Sequence, residues 1–131
     1  MLMFLLVACS GKDVDSGDDS AVGDDGPATL TELQADLFTP TCGPCHGAAD
    51  GSGGLDLRDG STFASLVGTA SVGSPTNTRV IAGDADGSYI VMKLTGAAGI
   101  AGDQMPQGNP GIDDTRMARL RSWIEDGAQD N

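Results

Sequence analysis

Positive charge is scarce in this sequence: seven Lys and Arg stand against nineteen Asp and Glu, a formal net charge of −12 and a sequence pI of about 4.1. Without a basic stripe to neutralise phosphates, nucleic acid is excluded as a partner class. The charge fits a soluble protein that meets neutral or basic partners. Aromatic residues are scarce too, with three Phe, one Tyr and one Trp beside twenty Gly. A chain of 131 residues is one small domain by length. With so few large side chains it fills a core with difficulty, and such domains commonly lean on a metal, a disulfide or a cofactor. The chain has one histidine and three cysteines, and no convincing strand pattern or internal repeat. No apolar run approaches the roughly 20 residues that span a bilayer.

The one apolar run, Met1 to Ala8, stops at Cys9. It has the character of the end of a signal-peptide hydrophobic region. Leu6-Val7-Ala8-Cys9 resembles a bacterial lipobox, in which the chain is cut before the cysteine and the cysteine is acylated. Residues 1–8 are therefore expected to be a signal-peptide remnant and Cys9 a lipidation site, which also accounts for the odd cysteine. The basic segment that normally precedes such a run is absent from this sequence. Residues 9–28 follow as a Ser-, Gly- and Asp-rich stretch with six Asp and one Lys. Such a composition cannot bury enough to offset its ordering entropy and is expected to be a disordered acidic tether. A calcium site in its acidic pairs is the weaker reading.

The folded domain is expected over residues 29–131. Thr29 and Glu32 have capping-box spacing, and Leu30, Leu33 and Leu37 share a face, which predicts a helix over 29–38 ended by Pro40. Short helices are expected over 61–67 and 87–94. The last helix is the clearest: Asp113 is a good N-cap, Ile112 and Met117 have staple spacing, and Met117, Leu120 and Ile124 form a stripe beside Trp123. Gly127 is the expected C′ residue. Gly-rich loops fill 47–60, 68–83 and 96–111, with Leu55 and Leu57 as the anchors of the first.

Between the first helix and the first loop stands Cys42-Gly43-Pro44-Cys45-His46. The same residues form a thioredoxin-like Cys-x-x-Cys loop or a Cys-x-x-Cys-His haem-attachment box. A dithiol enzyme needs a buried strand before the first cysteine and a central sheet. Here a helix precedes the box, Thr41 stands where an aromatic is usual, and the rest reads as loops and short helices. Haem attachment needs two thiols one helical turn apart and an imidazole directly after them. Cys42, Cys45 and His46 supply these. A sixth iron ligand is commonly a thioether, which raises the potential, and Met105 sits in the loop Gly102-Asp103-Gln104-Met105-Pro106 with little packing reason to be there. Met92 and Met117 lie in expected helices and read as core. A zinc site at Cys42, Cys45 and His46 lacks the fourth ligand of a structural zinc.

LFTPTCGPCHG, GGLDL, RVIAGDADGSYIVMKL, GDQMP and RSWIEDGA are spread along residues 29–128, and with them the sequence resembles a small class I cytochrome c domain of the bacterial periplasmic lipoprotein type. The resemblance implies an all-α cytochrome c fold, three to five helices around one covalently bound haem c, with the first and last helices crossing. It implies thioether attachment at Cys42 and Cys45 and axial iron ligation by His46 and Met105. The His46 ring N–H should donate to a carbonyl in the loop from Asp50 to Leu57. Arg79 is a candidate partner for the haem propionates, against the alternative of a solvated surface Arg. Tyr89 and Trp123 read first as core or haem-wall residues. The expected activity is electron carriage between redox partner proteins, without catalytic residues or a small-molecule substrate, in the periplasm or at the cell surface on an N-terminal lipid anchor. A haem-based sensor or gas-binding module is the alternative, and a thioredoxin-like dithiol oxidoreductase a less favoured one.

Overall fold

The computed structural model describes residues 26–108 and 111–131. The expected signal-peptide remnant, Cys9 and all but the last residues of the acidic tether lie outside these. The described residues are helical, with three isolated bridges (Val67–Val80, Ala70–Thr78 and Ile81–Asp84) and no strand. This all-α character is as expected from the sequence.

The first helix begins where its cap predicts. The Thr29 side chain accepts from the Glu32 N–H while Glu32 reaches back to the Thr29 N–H, closing the capping box. The α-helical turn α1 (Leu30–Leu33) then runs into a π-helical stretch, Gln34–Cys42, and into a second α-helical turn, α2 (Gly43–His46). The expected stop at Pro40 is therefore corrected: the helix passes through it. Proline removes an N–H and clashes with the carbonyl four residues back in an α-helical ladder. The rod carries Pro40 in the wider π register, in which the Gly43 N–H bonds to the Phe38 carbonyl. Cys42, Cys45 and His46 thus form the end of a continuous helical rod rather than a separate loop. Gly47 follows the rod, and the position needs glycine because a Cβ there would meet the Gly43 carbonyl oxygen at 2.5 Å.

The later helices are α3 (Thr62–Leu66), α4 (Tyr89–Thr95) and α5 (Asp114–Glu125). Asp113 caps α5 by accepting from the Arg116 N–H, and Gly127 follows the helix at φ 108. Leu33, Leu37 and Phe38 of the first rod share one buried cluster with Leu120, Trp123 and Ile124 of α5. The two helices touch directly. Near the chain end, the Thr31 N–H donates to the Asn131 carbonyl at 2.9 Å and the Leu30 N–H to the Asn131 side chain at 2.9 Å, which ties α1 to the segment after α5. The Arg116–Asp36 and Arg119–Glu32 pairs across the same junction are partly exposed and contribute little, about 0–1 kcal/mol each.

Trp123 is 1% exposed, and its indole N–H donates to the Gln129 carbonyl at 2.8 Å. Its proton is therefore spent on the C-terminal segment. Trp123→Ala should destabilise the domain by about 3–5 kcal/mol, read as the shift in a denaturant midpoint.

Candidate functional site

One side of this core is open. A cleft of about 950 Å³, counting its mouth, is lined by Leu37, Phe38, Cys42 and His46 of the first rod, by Leu55 and Leu57 of the following loop, by Arg79, by Tyr89, Lys93 and Leu94 of α4, and by Met105. Most of its wall is apolar, as cofactor and small-molecule sites require. Cys42 and His46 from the rod and Met105 from a loop far along the chain, all sequence-predicted site residues, line this one space. Arg79 joins them. Cys45 is exposed and is not part of the lining.

The helical rod and the GGLDL loop are locked together beneath His46. The Leu57 N–H donates to the His46 carbonyl at 2.7 Å. Gln34 holds the other side: its amide donates to the Leu57 carbonyl at 2.9 Å and to Thr39 Oγ1 at 3.0 Å, and its carbonyl accepts from Thr62 Oγ1 at 2.6 Å. Sequence reasoning passed over Gln34. The available sign was a polar residue directly beside Leu33 on the amphipathic helix, where a buried amide has to find partners.

The His46 ring is different. Its Nδ1 is buried and has no hydrogen-bond partner. The expected bond from the ring to a carbonyl between Asp50 and Leu57 is not made at Nδ1, and several of those carbonyls already serve other donors. The Gly51 carbonyl accepts from the Gly54 N–H, those of Gly53 and Gly54 accept from Arg79, and that of Leu57 accepts from Gln34. A buried polar atom without a partner costs about 1–3 kcal/mol, and in a native structure it points to a missing ligand or a chemical role. Imidazole at a cleft wall is a good metal ligand through either nitrogen.

Arg79 is only 7% exposed, so the reading as a solvated surface residue is overturned. Its backbone is held on both sides, by its N–H to the Thr69 carbonyl at 2.8 Å and by the Ile90 N–H to its own carbonyl at 3.0 Å. Its guanidinium donates to the carbonyls of Ser65, Gly53 and Gly54 at 2.8, 3.1 and 3.1 Å. Among the described residues it forms no ion pair with an acidic side chain. Burial pushes its pKa down from the ordinary value. An anion in the cleft would offset this burial cost of a lone cation.

Met105 is partly buried and packs against the core, rather than standing free on the loop. Met92 and Met117 are absent from the cleft lining, and Met117 packs on the core as expected. Tyr89 lines the cleft, and its hydroxyl accepts from the Ala101 N–H at 2.8 Å.

The Cys42 thiol is pushed up to about 11, by burial first and by the neighbouring Cys45 second. A thiol in that state is protonated at neutral pH and is a poor nucleophile, the reverse of a dithiol enzyme's attacking cysteine. The missing strands argue in the same direction. Nor do three His, Cys, Asp or Glu side chains converge on a metal position among the described residues, which disfavours the zinc alternative. The raised Cys42 value carries a pH signature. The neutral thiol is favoured in the folded chain, so the stabilisation is complete below the ordinary value of 9.0 and is lost as pH rises from there through about 11. With free thiols the domain should lose on the order of 2–3 kcal/mol across that window. Converting both sulfurs to thioethers should abolish the loss, measured by chemical denaturation at each pH.

No protein-family model, curated protein or solved structure matches this chain.

Proposed function

We propose that the domain is a mono-haem c-type cytochrome with a class I cytochrome c fold, an electron carrier between redox partner proteins in the periplasm or at the cell surface, held to a membrane by a lipid on Cys9. The observation that carries this reading is the convergence of Cys42, His46 and Met105 on one apolar cleft, with His46 Nδ1 buried and without a hydrogen-bond partner.

The residues fit the group. Cys42 and Cys45 stand at the end of a helical rod, one turn apart, and would hold haem c through two thioethers. His46 and Met105 would ligate its iron, and the buried Arg79 would partner a carboxylate of the group. Haem c, when bound, supplies a one-electron ferrous–ferric couple. The chain's own work is to bind and tune. The rod orients the His46 imidazole, since the Leu57–His46 backbone bond and the Gln34 network fix the turn beneath it. Leu37, Phe38, Leu55, Leu57 and Leu94 keep water from the cleft wall. Thioether ligation and an apolar wall both favour the less charged ferrous state and so raise the potential. No catalytic residue and no small-molecule substrate enter this function. The net charge of −12 suits a partner with a basic docking face.

The test is direct. The full chain, made in a host equipped to install c-type haem, should be red. It should keep its chromophore through denaturation and acid-acetone extraction, and exceed its polypeptide mass by one protohaem. A colourless chain without added mass, from cells shown to attach haem to a control protein, would end the proposal.

A further inference from the structure

We infer that Lys93 is the positioning residue of the Met105 loop: its ammonium group clamps the loop's backbone onto α4 and so holds the Met105 sulfur at the cleft. The inference rests on the proposed role of Met105 only for its functional consequence; the clamp itself stands on hydrogen bonds.

The loop has little order of its own. Gly96, Gly99 and Gly102 all adopt positive φ, at 67°, 85° and 70°. Such a segment loses much backbone entropy when held in one conformation, so something outside it must hold it. The holding groups all come from α4. Lys93 Nζ donates to the Ala101 carbonyl at 2.7 Å and to the Asp103 carbonyl at 2.6 Å, bracketing Gly102. The Lys93 carbonyl accepts from the Met105 N–H at 2.8 Å. Tyr89, one turn earlier on the same helix face, accepts from the Ala101 N–H at 2.8 Å, and the Leu94 carbonyl accepts from Gln104 at 2.8 Å. Lys93 therefore grips the loop at both ends, by its side chain at residues 101 and 103 and by its backbone at residue 105.

The choice of lysine follows from the chemistry. Backbone carbonyls need donors, and an ammonium carries three with no acceptor. Hydrogen bonds from a charged donor are about twice as strong as neutral ones. Lys93 makes no ion pair with an acidic side chain among the described residues, although the chain is strongly acidic. Its charge is spent on carbonyl dipoles, so no carboxylate competes for it. It also lines the cleft, so it acts beside the site rather than across the molecule from it.

The test uses the full haem-bearing chain with Lys93→Met, which keeps the apolar stem, and Lys93→Arg, which restores a cationic donor. In Lys93→Met, the amides of Ala101 and Met105 should exchange hydrogen at least about tenfold faster, with those of Leu120, Trp123 and Ile124 unchanged. Imidazole added from outside should bind the ferric protein at least about tenfold more readily, and Lys93→Arg should return both readouts to within about threefold of the parent. Loop amides that exchange at the parent rate in Lys93→Met would overturn the clamp. So would acceleration spread equally through α5, or a failure of Lys93→Arg to restore order. Met105→Ala judges the ligation separately. If it leaves the ferric spectrum unchanged while Lys93→Met still loosens the loop, the clamp stands and the assignment of Met105 to the iron falls.

Discussion

Replacing Cys42 and Cys45 together by Ala is expected to give a chain with no covalent chromophore: no added mass, and no visible band that survives acid-acetone extraction. The loss is complete because each sulfur is a bonding atom and nothing else in the described residues offers a thiol. The single substitutions should differ. Cys42 is partly buried against the core and Cys45 is exposed. Cys45→Ala therefore removes one attachment point and almost no packing, while Cys42→Ala also opens a small hole beside Leu37 and Phe38. The expected extra destabilisation is about 1 kcal/mol, read by denaturation of the two haem-free chains. His46→Ala should leave an attached group without its imidazole, or prevent attachment altogether, and either result is visible in the ferrous spectrum. Equal colour in the parent and the double variant would rule out attachment through these sulfurs.

Met105→Ala is expected to lower the reduction potential by on the order of 100 mV or more, since axial ligand identity moves haem potentials over about 0.8 V. The direction follows from the thioether, a soft neutral donor that favours the ferrous ion. Without it, water or an added ligand takes the position, so the ferric spectrum should change and carbon monoxide should bind the ferrous protein readily. Met117→Ala is the matched control. It removes a methionine that packs on the core and does not line the cleft, so it should lower stability by about 1–3 kcal/mol with the potential unchanged. An unchanged potential in Met105→Ala would hand the sixth position to another side chain. Rapid carbon monoxide binding by the parent protein itself would move the function toward the gas-binding alternative.

Much of this was legible in the sequence because it is local. The Thr29–Glu32 capping box, the Asp113 cap and Gly127 each depend on groups within four residues of one another, and each forms as the pattern predicts. The spacing of Cys42, Cys45 and His46 is local too. Pro40 was misread for the opposite reason. Local propensity says stop, but Leu37 and Phe38, both 0% exposed, lie in the core cluster on one side of it, and Cys42 packs on that core just beyond. Carrying the rod through in a π register keeps both contacts.

What the amino-acid order determined by itself is the acidic, aromatic-poor character, the caps of the first and last helices, and one sulfur–imidazole box. What only the tertiary structure decided is convergence: Met105 and Arg79 brought to the cleft that His46 lines, Gln34 buried as the tie to Leu57, and Lys93 bonded across a glycine loop. These depend on which carbonyls are already taken and which charges lose their water. Both are set by neighbours far away in the chain, so no local pattern carries them.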